Sequence, residues 1–349
     1  MAASRMAPEQ LAYTSVAKFD GDALAGGGNV LDDPDRRSGS VYVLDPGLQL
    51  AIEVALVTGR PLLLRGRPGT GKSSLAAWVA RNLNRCFYDF VVTARTRAED
   101  LMYSFDSVRR LADAQARMKG DPDLNDFDYV EPRALWWAFN PETAKQRGAP
   151  AGKTPKTAAV EPNEALNRTR KAGHAVLLVD EIDKADPDVP NNLLVALGSF
   201  SFHVAETGIT VGRNPTPATE SMSRLLVIFT TNEERDLPDA FVRRCIVQWL
   251  SPPNADRLVE IAGKQMAGDL TTAANAALAR ALAGKVEALA KTAIEEGRRP
   301  PSTAEYLDAL RACLRLKMTV DTPAWQLVEK SVLRKPDARE AEAVEGSGA

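Results

Sequence analysis

The sequence predicts an α/β protein, a parallel sheet between two layers of helices, followed by a small all-helical domain. Three observations predict it. Leu62-Leu63-Leu64, Ala175–Val179 and Leu225–Thr230 are continuous apolar runs of strand length, the pattern of strands buried on both faces of a parallel sheet. The first run leads through a glycine-rich turn into a segment of good helix formers, Ser74–Leu83. After Pro252-Pro253 the strand-like runs stop, and Ala, Leu, Lys and Glu dominate.

In chain order, residues 1–40 are polar and glycine-bearing and read as a flexible N-terminal arm. A helix starts at Asp45-Pro46, with Leu48, Ala51, Val54 and Ala55 on its apolar face, and Gly59 ends it. Pro61–Arg65 is the first core strand, and Cys86–Thr93 is a second, rich in aromatic and β-branched residues. Ala98–Lys119 reads as one charged helix closed by Gly120-Asp121-Pro122. Trp136 and Trp137 read as core or interface packing. Residues 141–173 carry seven basic residues (Lys145, Arg147, Lys153, Lys156, Arg168, Arg170, Lys171) against three acidic ones (Glu142, Glu161, Glu164) and read as a solvated loop insert.

The strand Ala175–Val179 ends in Asp180-Glu181, and a helix is expected over Asn191–Leu197. Alternation around Thr207-Gly208 predicts a hairpin over Phe200–Val211. The strand Leu225–Thr230 ends at Thr231-Asn232; a short helix after Pro238 and a strand Ile246–Trp249 complete the α/β part. Helices are expected near 255–267, 272–296 and 303–317, and the charged end, 335–349, reads as disordered. The domain limits are thus 1–40 for the arm, 41–251 for the α/β domain with its insert 141–173, 252–318 for the helical domain and 319–349 for a tail.

The chemistry centres on Gly66-Arg67-Pro68-Gly69-Thr70-Gly71-Lys72-Ser73, which reads G-x-x-x-x-G-K-S. Between a strand and a helix, such a turn aims backbone N–H groups and a helix N-terminus at a triphosphate. Lys72 is placed to reach the β- and γ-phosphates, the Ser73 hydroxyl to ligate Mg²⁺, and Ser74 continues the binding loop into the helix. Asp180, at the end of a buried strand, has the position to hold Mg²⁺ through water, and Glu181 that to polarise an attacking water as general base. Asn232, just past another strand, has an amide that can orient this water. Arg243-Arg244 offers a charge that can act in trans on a neighbouring subunit's nucleotide.

The 349 residues carry a net charge of −2 and a pI of about 5.9. No global field therefore favours nucleic acid or an anionic membrane. The three cysteines, Cys86, Cys245 and Cys313, are far apart and read as reduced thiols of a cytoplasmic protein. With two histidines, His174 and His203, a His-centred metal or triad site is not expected. The N-terminus resembles neither a signal peptide nor a membrane span.

The order of the pieces resembles an AAA+ ATPase over residues 41–318: the P-loop, Val-Asp-Glu-Ile-Asp-Lys-Ala-Asp at 179–186, Thr-Thr-Asn at 230–232, the Arg-Arg pair and a helical lid. Tyr42–Leu48, Arg60–Gly66 and Thr231–Phe241 are similar, more narrowly, to the MoxR-like branch. The resemblance implies a P-loop NTPase (AAA+) fold, a three-layer parallel-sheet domain with a C-terminal lid, acting on ATP with Mg²⁺. It implies Asn232 as sensor 1 and Arg244 as arginine finger. A sensor-2 arginine is expected where Ala304 stands; either Arg298 or Arg299 substitutes for it, or sensor 2 is missing. It also implies a hexameric ring, chaperone-like remodelling of a protein client, a partner with a von Willebrand factor A domain, and a place in bacterial defence or conflict systems. Two alternatives stand beside it: a nucleic-acid-dependent motor similar to the GTP-using McrB branch, and a nucleotide-gated scaffold with little turnover. ATP hydrolysis is the main expectation, with nucleic acid and membrane not expected as partners.

Overall fold

The computed structural model describes Ala17 and residues 41–119, 121–318 and 322–334. The arm 1–40 (apart from Ala17) and the end 335–349 lie outside the described residues. Contacts divide the chain into two units. Of the described residues, one comprises 44–65 and 72–249; the other comprises 41–43, 66–71, 250–318 and 322–334.

The first unit opens with α1 (Pro46–Thr58). The Asp45 side chain caps it by accepting from the backbone N–H groups of Gly47 and Leu48, and Gly59 ends it in the left-handed region. Its sheet has five parallel strands, β1 (Leu62–Arg65), β2 (Arg85–Val91), β5 (Lys171–Asp180), β8 (Leu225–Thr231) and β9 (Ile246–Trp249), in the order β2-β5-β8-β1-β9. Helix α2 (Lys72–Asn82) follows β1 and buries Leu75, Ala76, Val79 and Ala80. The apolar runs that predicted the sheet are buried along their whole length: Leu62, Leu63, Leu64, Val176, Ile228 and Phe229 are sealed from solvent.

The stretch read as one helix over Ala98–Lys119 is broken. It forms α3 (Glu99–Met102), β3 (Tyr103–Phe105) and α4 (Ser107–Ala116). β3 pairs antiparallel with β4 (Val130–Pro132), so a long-range ladder overrides local helix propensity there. Trp136 and Trp137, on α5 (Ala134–Phe139), are buried in the core, as their sequence context suggested.

The insert 141–173 is not a solvated loop throughout. It holds α6 (Pro141–Lys145), α7 (Glu164–Asn167) and the first residues of β5. Ala144, Ala159 and Asn167 are buried, and the Asn167 side chain satisfies the backbone of Phe87 on β2 from both of its polar atoms. Charge counting missed these anchors because they are small or amide residues. α8 (Asp188–Ser199) and the hairpin β6 (Ser201–Val204) and β7 (Ile209–Gly212) follow, then β8, α9 (Asp239–Arg244) and β9.

In the second unit α10 (Ala255–Gln265), α11 (Ala273–Glu295) and α12 (Thr303–Arg315) pack around Leu258, Leu282, Tyr306 and Leu310. The helical part does not stop at 318: α13 (Pro323–Val328) and a π-helical turn, Glu329–Arg334, add Trp325 and Leu333 to the same core. Trp325, Val328, Val332 and Leu333 stand at helical spacing, so the signal was present and was overshadowed by the charged residues that follow. Among the described residues, no helix is long and apolar enough to cross a membrane.

Candidate functional site

Strand order builds the site. β8 lies between β1 and β5, with Arg65 level with Thr231 and Val179 level with Phe229. The residues just past these three parallel strands therefore converge at one edge of the sheet, where ligands of such sheets bind. There the structure brings together Lys72, Ser73, Asp180, Glu181 and Asn232.

Lys72 is 6% exposed, and its Nζ donates to Asn232 Oδ1 at 2.8 Å. Burial holds its ammonium below the ordinary lysine pKa, while Asp180, Asp183, Glu181 and Glu233 pull it back up. Asn232 Nδ2 in turn donates to Glu181 Oε1 at 3.1 Å. Lysine, amide and carboxylate thus form one chain of hydrogen bonds, with Asn232 at its centre because β8 is the central strand of the three.

Ser73 Oγ donates to Asp180 Oδ1 at 2.9 Å. A serine hydroxyl and a carboxylate are the hard oxygen donors that Mg²⁺ takes while keeping several waters. Beside them lies a cavity of about 190 Å³ lined by Ser73, Ser74, Asp89 and Asp180 together with Phe87, Val91 and Leu178, space for several waters. Among the described residues no three His, Cys, Asp or Glu side chains converge on a metal. A cation held at Ser73 and Asp180 therefore fits as one that shares its ligands with water and phosphate.

Three further residues belong to this cluster; the motifs contained them but gave them no role. Thr230, fully buried, donates its hydroxyl to Asp180 Oδ1 and accepts the Glu181 backbone N–H at 2.9 Å. It thereby fixes both acids of the Asp-Glu pair. Lys184 Nζ lies 2.6 Å from Glu181 Oε2, and this hydrogen bond raises the lysine's pKa. Asp183, almost fully buried, accepts the Glu234 backbone N–H and ties the turn after β5 to the one after β8. The i, i+3 spacing of Glu181 and Lys184 was the signal for one of them. Thr230 lay inside the Thr-Thr-Asn motif, but its partners emerge only from the strand order.

Glu181 also occupies the left-handed region, with φ 60°. A non-glycine residue there carries strain of about 1–3 kcal/mol and persists only where its surroundings fix it. Here the bonds from Thr230, Asn232 and Lys184 do so.

The loop residues Gly66–Gly71 group with the second unit. Gly66 has φ +149°, and a Cβ on it would meet the Leu250 carbonyl oxygen at 2.5 Å. Gly69 has φ +77°, and a Cβ there would lie 2.2 Å from Ser302 Cβ. Both positions therefore demand glycine. Ser302 is the N-cap of α12 and forms a capping box with Glu305. Ala304 sits inside that first turn. The two arginines considered as its replacement are engaged locally: Arg298 pairs with Glu296, and Arg299 Nη2 lies 3.2 Å from Glu305 Oε1.

Arg243 and Arg244 end α9, and both are exposed. Among the described residues, neither side chain is hydrogen-bonded or ion-paired to the Lys72–Asn232–Glu181 cluster. Phe241, fully buried, anchors the helix by an edge-on contact with Phe229 of β8 at 4.9 Å.

A family model described as "AAA domain (dynein-related subfamily)" matches residues 61–245. That span holds the phosphate-binding loop, the Asp-Glu pair, Asn232 and both arginines. No curated protein matches the chain. Among solved structures, a point mutant of RuvB from Thermotoga maritima is similar at 14% identity and a TM-score of 0.43, over 84% of this chain and 72% of that one. The Thermotoga maritima RuvB Holliday junction branch migration motor is similar at 14% identity and a TM-score of 0.40, over 81% of this chain and 66% of that one.

Proposed function

The chain belongs to the AAA domain family, dynein-related subfamily, and we propose that it is an ATPase whose sites are completed at contacts between subunits and whose turnover remodels a protein partner. The observation that carries the reading is the hydrogen-bonded chain Lys72–Asn232–Glu181 beside the Ser73–Asp180 pair. It sets a cation for phosphate, an amide and a carboxylate base within bonding distance of one another.

In this reading Gly66–Ser74 binds the triphosphate through backbone N–H groups, and Lys72 leaves Asn232 for the β- and γ-phosphates. Ser73 and Asp180 hold Mg²⁺, which neutralises charge on the phosphates when bound. Asn232 then orients a water, and Glu181 accepts its proton. Arg244 of a neighbouring subunit supplies the positive charge that the cluster lacks within one chain. Its exposure at the end of α9 supports this role.

The MoxR-like branch, a six-membered ring and a client with a von Willebrand factor A domain are part of the same proposal and rest on the sequence resemblance. The nucleic-acid-dependent alternative drew on the basic residues of 141–173. Arg147 is turned inward, donating to Val130 and Thr157 carbonyls and pairing with Glu131, and Arg170 is half-buried. That takes two of the seven basic residues from such a face, while the other five stay exposed.

The test is Glu181→Gln. Turnover is expected to fall about 10²–10⁴-fold, the usual worth of a general base, with ATP binding and assembly retained. The trapped oligomer then serves to pull down the client. Undiminished ATPase would remove Glu181 from the mechanism.

A further inference from the structure

Arg60 lies in the link between α1 and β1, outside every nucleotide motif, and its guanidinium is committed to α9. Its Nε donates to the Arg244 carbonyl at 3.2 Å, and its Nη2 donates to the carbonyls of Arg243 and, at 3.1 Å, Cys245. These acceptors are the last carbonyls of a six-residue helix and the first beyond it. Such C-terminal carbonyls have no partner inside the helix, and a cation is favoured beside them. One guanidinium thus holds the backbone of both candidate arginines and of the residue that follows.

The surroundings make that clamp matter. α9 is short and leads into β9, the edge strand of the sheet. Its start is anchored by Phe241 against Phe229, whereas Arg243 and Arg244 face solvent at its end. The residue after Arg60 pins the next step of the chain, since the Pro61 carbonyl accepts the Ile246 N–H at 2.8 Å. Arg60 and Pro61 together therefore fix three consecutive carbonyls and the N–H that follows. A planar fork with several donors does this; a lysine offers a single point of attachment.

We propose that Arg60 is a positioning residue for the trans-acting arginine: it sets where Arg244 leaves the backbone, and so where its charge arrives at a neighbouring subunit's nucleotide. This rests on the reading of Arg244 given above. A shift of about 1 Å in a group that must meet a transition state costs on the order of 10²-fold in rate. Arg60 touches no part of its own subunit's catalytic cluster, so its loss spoils the site a subunit donates to and spares the site it owns.

The experiment compares Arg60→Gln with Arg244→Ala, each alone and mixed with an equal amount of Lys72→Ala, a subunit with a disabled loop and an intact α9. Arg60→Gln is expected to lower kcat at least about tenfold, part of the loss that misplacement causes, with KM for ATP within about twofold because its own loop is intact. Mixing with Lys72→Ala restores activity to it, as to Arg244→Ala. Arg60→Lys, which keeps the charge and loses the fork, falls between wild type and Arg60→Gln; if the glutamine variant does not fold, it carries the test on the same criteria. An unchanged kcat, or a loss that Lys72→Ala does not restore while it restores Arg244→Ala, overturns the role of Arg60. If Arg244→Ala is itself not restored, the trans-arginine reading fails, and Arg60 with it.

Discussion

The acids and amide around Lys72 and the arginines at the end of α9 are organised in opposite ways. In the first region every functional side chain has a partner in the same chain: Lys72 with Asn232, Asn232 with Glu181, Glu181 with Lys184, Ser73 and Thr230 with Asp180. In the second, two guanidiniums reach into solvent, and only their backbone is held. In the proposed reading, the first region is half of a hydrolytic site and the exposed pair Arg243-Arg244 is the complement of that half on a neighbouring subunit. Surfaces of this kind pair head to tail, and repeated pairing closes a ring or extends a filament.

The largest effect that sharpens the contrast is expected at Arg244. Arg244→Ala removes a transition-state charge worth about 10³-fold or more in this reaction class, and leaves ATP affinity near wild type. Steady-state kinetics and a nucleotide-binding titration check both. Arg243→Ala, one position further from β9, is expected to cost much less; equal losses would merge the two roles.

Within the self-satisfied cluster, Thr230→Val is the sharpest break. It removes the hydroxyl that joins Asp180 to the Glu181 backbone and leaves a partly buried N–H without its acceptor. A fully buried group of this kind costs about 1–3 kcal/mol, and this one, partly open to water, costs toward the lower end. Thermal melting is expected to show that loss, and the Mg²⁺ concentration needed for half-maximal ATPase to rise. A melting point and Mg²⁺ dependence like those of wild type would take Thr230 out of the site.

Much of this was legible in the sequence where the physics is local. The G-x-x-x-x-G-K-S turn, the apolar run ending in Asp180-Glu181 and the strand ending before Asn232 announce themselves within a few residues. The pairings that give the site its shape are not local. Arg60 and Arg244 are 184 positions apart and Thr230 and Asp180 are 50 apart, and only the order β2-β5-β8-β1-β9 brings such partners together. The same cause explains the broken helix at 99–116: Tyr103–Phe105 pairs with Val130–Pro132, which no window on the sequence contains. The segment 323–334 shows the converse, a local helical pattern of Trp325, Val328, Val332 and Leu333 that was legible but sits next to a charged end.

Smaller effects follow from the ion pairs. Lys184 is 37% exposed on its side chain, and pairs so open to water are worth about 0.2–1 kcal/mol. Lys184→Met therefore changes the basal rate by no more than about fivefold, upward, because it frees Glu181 to accept a proton. A fall of a hundredfold would give Lys184 a direct role in the chemistry.

Smallest is the response to acid at the base of β5. Hydrogen bonding to Arg224 holds Glu220 at about 2, below its ordinary 4.5, and burial holds His174 below its ordinary 6.5. Both groups bind protons more readily in the unfolded chain. Their contribution is present above those ordinary values and is lost as the pH falls, for His174 from about 6.5 downward and for Glu220 between 4.5 and about 2. Glu220→Gln is expected to flatten the acid limb of a stability–pH curve; an unchanged limb would contradict the pairing.

The central claim, that one chain carries half a site, is tested most directly by mixing two dead variants. Lys72→Ala and Arg244→Ala are each expected to be nearly inactive alone. Combined in equal amounts they are expected to recover about a quarter of the wild-type ATPase, the share of head-to-tail contacts that join an intact loop to an intact arginine when subunits mix at random. A mixture no more active than its parts, in an assembly shown to exchange subunits, would contradict the account.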